Sequence, residues 1–275
     1  MSIQPGTLIQ PTLAIARAAG SRILEVYGGD FAVEAKADRT PLTAADRAAH
    51  TLIVQELGRL TPGIPVWSEE SPAPPPAQRH RWSWYWLVDP LDGTREFIRR
   101  NGEFTVNIAL LRGHEPLLGI IHVPVPARDY WGGPGLGAWR RDGSGEPRAI
   151  SVRRPAARPP RVAGSRSHAG SGLARFLGDM GPHELLSMGS SLKFCLVAEG
   201  AADLYPRLGP TAEWDTAAGQ AIVEGAGGVV IDAAGRPLRY NSRDEALNPD
   251  FVACADRVDP WPGLLARASD RRHFD

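Results

Sequence analysis

Trp84-Tyr-Trp-Leu-Val-Asp89-Pro-Leu-Asp92-Gly93-Thr94 joins an unbroken apolar run to two carboxylates three positions apart. The run reads as a buried strand. Pro90 fixes one φ angle and Gly93 permits a tight or left-handed turn, so the segment can fold both acids and a backbone carbonyl around one point. Hard divalent cations take oxygen ligands, and magnesium binds through carboxylates, retained waters and substrate phosphate. For an isolated string of this kind, capping by Asp89 and an ordinary Asp92-Gly93 turn is the commoner explanation.

Acids elsewhere change that balance. Ile64-Pro-Val-Trp67 reads as a short strand running into Ser68-Glu69-Glu70, so a second strand also ends on carboxylates. A helix is predicted from about Thr43, placed to cap it, to Leu60, with Pro62-Gly63 as its stop and Asp46 in its first turn. Asp215, in Glu213-Trp-Asp-Thr216, opens another predicted helix that runs over Ala217–Gly225. Acids at the termini of four elements can converge at one end of a sheet.

The remaining pattern supplies a sheet and its helices. Apolar spacing predicts a helix from Pro11 to Gly28 and others at Leu173–Leu177 and Leu192–Ala198. Strands are expected at Thr105–Leu111, Leu118–His122 and Gly228–Ile231, with an antiparallel segment carrying Tyr130-Trp131 and Ala138-Trp139. Ser71-Pro-Ala-Pro-Pro-Pro76 reads as an exposed, partly extended loop. Arg153-Arg-Pro-Ala-Ala-Arg-Pro-Pro-Arg161 reads as a surface connection, dividing the chain into subdomains 1–152 and 153–275. The tail after about Asp256 is poorly informative.

Composition removes whole classes. The 275 residues carry 31 Lys plus Arg against 31 Asp plus Glu, so no bulk charge draws the molecule to nucleic acid or to an anionic membrane. Cys195 and Cys254 have no CxxC spacing and read as reduced core thiols. The seven histidines show no HExxH or HxH spacing and no GxSxG elbow is present, which disfavours a zinc or serine hydrolase. Gly132-Gly-Pro-Gly-Leu-Gly137 lacks a following helix pattern and reads as a hairpin connection rather than a nucleotide loop. Neither an export signal nor a membrane span is expected.

Trp67-Ser-Glu-Glu70, Asp89-Pro-Leu-Asp-Gly-Thr94 and Trp214-Asp-Thr-Ala-Ala-Gly219 are similar, in order, to the three signatures of the lithium-inhibited inositol monophosphatase superfamily. More narrowly, the segments 36–46, 99–109, 165–168 and 189–200 resemble the CysQ-type 3'(2'),5'-bisphosphate nucleotidases. The resemblance runs from about residue 11 to about 254. Its departures, Arg95 where Lys is usual and Gln220 where His is common, remove no expected metal ligand.

The resemblance implies a layered α+β fold, an αβαβα sandwich of the inositol monophosphatase and fructose-1,6-bisphosphatase type. Both subdomains form one catalytic unit, the first carrying most metal ligands and the second Asp215. It implies two or three Mg2+ ions per site held by Glu69, Asp89, the Leu91 carbonyl, Asp92 and Asp215. Catalysis falls to Asp46, Thr94 and Glu69, with Thr94 holding the attacking water and Asp46 accepting its proton. Substrate contacts fall to Glu69, Leu91, Asp92, Gly93, Thr94, His168, Ser190, Ser191, Lys193, Arg207 and Asp215. The reaction implied is hydrolysis of the 3'-phosphate of adenosine 3',5'-bisphosphate to AMP and phosphate, with the sulfated nucleotide as a second substrate, in sulfur assimilation and nucleotide recycling. An inositol or sugar-phosphate phosphatase using the same metals is the alternative, and a non-catalytic anion-binding module predicts damaged ligands that this chain does not have. The partner implied is a small nucleotide bisphosphate, with no nucleic-acid polymer and no membrane span. The setting implied is the cytoplasm or the cytoplasmic face of the inner membrane, as monomer or homodimer.

Overall fold

The computed structural model of the protein describes residues 3–30, 32–35, 41–166, 170–255 and 260–270. Helical periodicity near the N-terminus becomes two packed helices, α1 (Ile9–Tyr27) and α2 (Ala44–Leu60). α1 begins before the expected Pro11, because a proline in the first turn removes an N–H that has no intrahelical acceptor. Thr43 caps α2 as expected: its Oγ1 accepts from the Ala45 N–H at 3.2 Å, and the Asp46 carboxylate accepts from the Thr43 N–H at 2.8 Å. A short hairpin, β1 (Val33–Ala35) with β2 (Pro41–Thr43), precedes that cap.

Seven strands form the larger sheet, in chain order: β3 (Val66–Ser68), β4 (Trp84–Asp92), β5 (Thr105–Arg112), β6 (Glu115–Val123), β7 (Arg128–Gly133), β8 (Gly137–Asp142) and β9 (Arg148–Ala149). β3 runs parallel to β4 and every later neighbour is antiparallel. The expected hairpin at 132–137 joins β7 to β8, with Trp131 opposite Trp139. The proline-rich stretch is irregular only to Pro75. Pro76 opens a one-turn helix, α3 (Pro76–Arg79), because its fixed φ suits a first helical position. α4 (Thr94–Ile98) follows β4 directly.

Five strands form the second sheet: β10 (Arg161–Ser165), β11 (Glu184–Met188), β12 (Leu204–Arg207), β13 (Val229–Asp232) and β14 (Phe251–Cys254), ordered β11-β10-β12-β14-β13. Helices α5 (Ser171–Met180), α6 (Leu192–Ala198), α7 (Glu213–Gly225) and α8 (Trp261–Asp270) complete the described chain. Tyr205-Pro-Arg207 lies within β12, where Pro206 faces Val252 of β14. Toward β10 the pairing is a single contact at Leu204, so the missing N–H breaks no ladder there. The connection 153–161 lies at the surface as expected, but its arginines do more than seek water. Arg153 Nε donates to the Gly200 carbonyl at 2.9 Å, and Arg154 donates to the carbonyls of Gly227 and Ala255.

Alternation along the strands sorts the core into layers. Trp86, Val88, Ile108 and Ile120 pack with α1 and α2, whereas Tyr85, Leu87, Ala109 and Ile121 pack with Phe194 of α6 and Ala217 and Ile222 of α7. The same central cluster takes Ala163, Tyr205, Val230 and Ala253 from one face of the second sheet. Val162, Leu204, Ile231 and Val252 point the other way, onto Phe176 of α5 and Trp261 and Leu265 of α8. Helices, sheet, helices, sheet, helices is therefore the order, as the resemblance implied. The middle layer is tight: a Cβ on Gly119 of β6 would stand 2.1 Å from the Ala218 carbonyl oxygen of α7.

Candidate active site

In a regular strand residues three apart point to opposite faces, so Asp89 and Asp92 could not share a site. The ladder between β4 and β5 slips between them. Asp89 stays opposite Asn107 and Asp92 opposite Thr105, leaving Pro90 and Leu91 unpaired. This irregularity turns both acids to one cleft. Gly93 then takes φ +90°, a left-handed conformation costly for other residues, and starts α4 at Thr94.

The cleft, about 200 Å3, is lined by Glu69, Asp89, Leu91, Asp92, Thr94 and Asp215 on its acidic side. Ser190, Ser191, Lys193, Tyr205 and Arg207 stand on the side supplied by the second half of the chain. Glu69 follows β3 and its N–H donates to the Val88 carbonyl at 3.0 Å, which sets it beside Asp89. Asp89 is buried, with one oxygen accepting from the Leu91 N–H at 3.0 Å. Asp92 accepts from the Ser191 N–H at 2.6 Å and from Asn107 Nδ2 at 3.3 Å. Asp215, in the first turn of α7, accepts from the Ala212 N–H at 3.0 Å.

Buried like charges set the electrostatics. Burial, followed by the charges of Glu69, Asp92 and Asp215, holds the Asp89 carboxyl well above its ordinary range. Asp215 is raised well above it by burial and then by Asp92 and Glu69. Asp92 is raised by burial although Lys193, Asn107 and the Ser191 N–H oppose the shift. Burial also lowers the Lys193 ammonium to about 8. Among the described residues no three His, Cys, Asp or Glu side chains are closed into a ready cage for a metal ion. An open wall of hard oxygen donors fits a hard divalent cation that keeps waters and completes its shell with phosphate.

Asp46 does not line the cleft. It is buried behind Thr94, whose Oγ1 has two acceptors within reach of its one hydrogen: Asp46 Oδ1 at 3.5 Å, the long limit of a hydrogen bond, and the Leu91 carbonyl at 3.3 Å. Capping, an alternative explanation of Asp46, is real but uses the other oxygen: Oδ2 accepts from the Thr43 N–H and from Thr43 Oγ1 at 2.7 Å.

Lys193 Nζ donates to the carbonyls of Met188 and Ser190 and lies 5.3 Å from the centre of the Tyr205 ring, so it is no solvated helix lysine. Ser190 adopts φ +44°, a strained conformation for a serine. Arg207 is held at the rim by Thr211 Oγ1 and the Pro210 carbonyl. His168 lies outside the described residues.

Several residues of the site carried no role in the sequence reading. Asn107 and Thr105 bind Ser191, whose Oγ donates to Asn107 Oδ1 at 2.8 Å, and so lock the second half of the cleft to Asp92. An asparagine centred in an apolar strand was the available signal. Glu96, Phe194 and Thr211 also line the cleft without standing out in the sequence.

The model of the inositol monophosphatase family matches residues 5–259. The 3'(2'),5'-bisphosphate nucleotidase CysQ of Escherichia coli K12 is 52% identical over 246 residues, covering 89% of this chain and 98% of that protein. The CysQ nucleotidase of Aggregatibacter actinomycetemcomitans is 37% identical over 266 residues, covering 96% and 99%. In structure the chain is similar to CysQ from Bacteroides thetaiotaomicron, with a TM-score of 0.78 and 42% identity over 90% of this chain and 97% of that one. On a family match spanning nearly the whole chain, and on relatives that align with it almost end to end, the chain belongs to the inositol monophosphatase family.

Proposed function

We propose that the protein is a Mg2+-dependent 3'(2'),5'-bisphosphate nucleotidase that hydrolyses the 3'-phosphate of adenosine 3',5'-bisphosphate to AMP and phosphate, and also acts on the sulfated nucleotide. The observation that carries the reading is one cleft lined by Glu69, Asp89, Asp92 and Asp215 facing Lys193 and Arg207. Its substrate is supported by the nucleotidase relative at 52% identity. The setting is cytoplasmic; among the described residues no helix is long and apolar enough to cross a membrane.

Glu69, Asp89, the Leu91 carbonyl, Asp92 and Asp215 would hold two or three Mg2+ ions. When bound, the ions neutralise phosphoryl oxygens and acidify water for an in-line displacement. Thr94 orients the attacking water and Asp46 takes its proton, so water is the nucleophile and no phosphoenzyme forms. Lys193 and Arg207 supply positive charge, and Ser190, Ser191 and Gly93 polar contacts, to the phosphates and ribose. Residues 1–152 and 153–275 act as two subdomains of one catalytic unit.

Phosphate release with magnesium chloride, comparing adenosine 3',5'-bisphosphate with inositol 1-phosphate and fructose 1,6-bisphosphate, tests the reading. A kcat/KM for the nucleotide well above the other two is expected. Comparable values would remove the nucleotide as the specific substrate.

A further inference from the structure

Arg79 closes the one-turn helix after the proline-rich stretch, matches no motif, and is only 2% exposed. A buried guanidinium is costly unless its donors are met, and here they are met from far along the chain. Its Nη1 donates to Asn241 Oδ1 at 2.5 Å, and its Nη2 to the carbonyls of Arg243 at 2.8 Å and Asp244 at 2.6 Å. Asn241 returns a bond from Nδ2 to the Arg79 carbonyl at 2.6 Å.

Two further contacts carry this cluster to the cleft. The Arg79 guanidinium lies 4.6 Å from the centre of the Trp67 ring, and Trp67 is two residues before Glu69. The Asn241 N–H donates at 2.7 Å to Oε2 of the buried Glu213, the first residue of α7 and two before Asp215. Trp67 and Trp214 meet edge to face at 5.9 Å between the two acids' elements. A cavity of about 230 Å3 is bordered by Trp67, Glu69, Arg79 and Trp214.

We propose that Arg79 is a positioning residue: through Trp67 on one side and Asn241–Glu213 on the other, it sets the separation of Glu69 and Asp215. This rests on reading those two acids as metal ligands. Like-charged carboxylates facing a cleft push apart, and a planar five-donor fork stacked on an indole resists that displacement where a flexible ammonium does not.

The test titrates the purified protein calorimetrically with magnesium chloride alone, alongside thermal melts and initial rates. Arg79→Lys keeps the charge and loses the fork. Asn241→Gly suits the φ of +51° at that position and keeps the N–H to Glu213, removing only the links to Arg79. Each variant is expected to raise the magnesium Kd by about tenfold or more, with kcat recovering at saturating magnesium. Arg17→Lys, at the distant Asp129 cluster, should lower the melting temperature and leave that Kd unchanged. A Kd within about twofold of wild type in either folded variant would overturn the proposal. Should Arg79→Lys fail to fold, Asn241→Gly decides. Wild-type protein that binds no magnesium would instead overturn the metal reading itself, and this proposal with it.

Discussion

Asp46 makes two sets of contacts with different oxygens, so the general-base role proposed for it can be separated from its capping of α2. Oδ2 holds the Thr43 N–H and hydroxyl and so caps α2, while Oδ1 faces Thr94 at 3.5 Å. In Asp46→Asn the amide oxygen can keep the Oδ2 position and its Thr43 donors. The NH2 then points at Thr94, and the proton-accepting end is lost. Stability should fall by only about 1 kcal/mol, the worth of a first-turn carboxylate near a helix N-terminus. Turnover should fall by about 10²–10⁴, the usual contribution of a positioned general base, which is about 2.7–5.5 kcal/mol of barrier. Thr94→Ala removes the hydroxyl that links this base to the cleft and should cost kcat a similar factor with little change in KM. Because one unit is broken twice, the double variant should be little worse than either single. The assay is initial phosphate release from adenosine 3',5'-bisphosphate at saturating magnesium, with melts on all four proteins. Losses that multiply in the double variant would refute a joint Thr94–Asp46 unit and assign proton acceptance elsewhere.

Other expectations follow from single observations. Asp89→Asn should nearly abolish turnover yet fold, since it removes a charge its neighbours repel; more than about a tenth of wild-type activity would take Asp89 out of the centre of the site. Gly119→Ala must move the Ala218 backbone and should cost about 3 kcal/mol, the upper end for overpacking, so a melting temperature unchanged within about a degree would contradict the packing described. Burial alone would raise the Asp129 carboxyl, but His122 and Arg17 outweigh it and hold it below its ordinary value. Its contribution is therefore present above the unfolded value of about 3.9 and is lost as pH falls through the folded one. Asp129→Asn should be less stable than wild type at neutral pH and converge with it in acid; a constant difference down to about pH 2 would exclude this linkage. Millimolar lithium, with sodium and potassium as controls, should slow the enzyme most at saturating substrate, as the family resemblance implies, and an unchanged rate would count against that expectation.

What was legible in the sequence and what was not divide on a physical line. The acids were legible because each sits where a period stops: Glu69 and Asp89 where apolar runs end, Asp46 and Asp215 at helix starts. The slip between Asp89 and Asp92 was foreshadowed by Pro90 and Gly93, residues whose backbone limits announce irregular geometry. β12 was missed because a proline within a short strand argues against pairing, and only the thin contact with β10 tolerates it. β14 is four buried residues, too short for any period to be read, and α8 lies in the tail that seemed uninformative. Arg79 was hidden for another reason: the hydrogen-bond partners of its guanidinium lie 162 to 165 residues away, and nothing local distinguishes it from a solvated arginine.

That division bears on how the site comes to exist. Glu69 follows β3 and Asp89 and Asp92 lie in the C-terminal part of β4 in the first sheet, Asp215 stands on a helix between the sheets, and Arg207 on a strand of the second. No one element carries the constellation, so the distances among these groups are properties of layer packing rather than of local sequence. The contact of Gly119 with Ala218 sets how closely α7 approaches the first sheet. The hydrogen bonds of Ser191 to Asp92 and Asn107 set where the second half meets it. Substitutions at such places lie outside the acidic motifs and leave each acid in place, yet they would change the spacing on which the proposed cation binding depends. The residues that control this chemistry therefore extend beyond those that touch it, and they are the ones a motif does not contain.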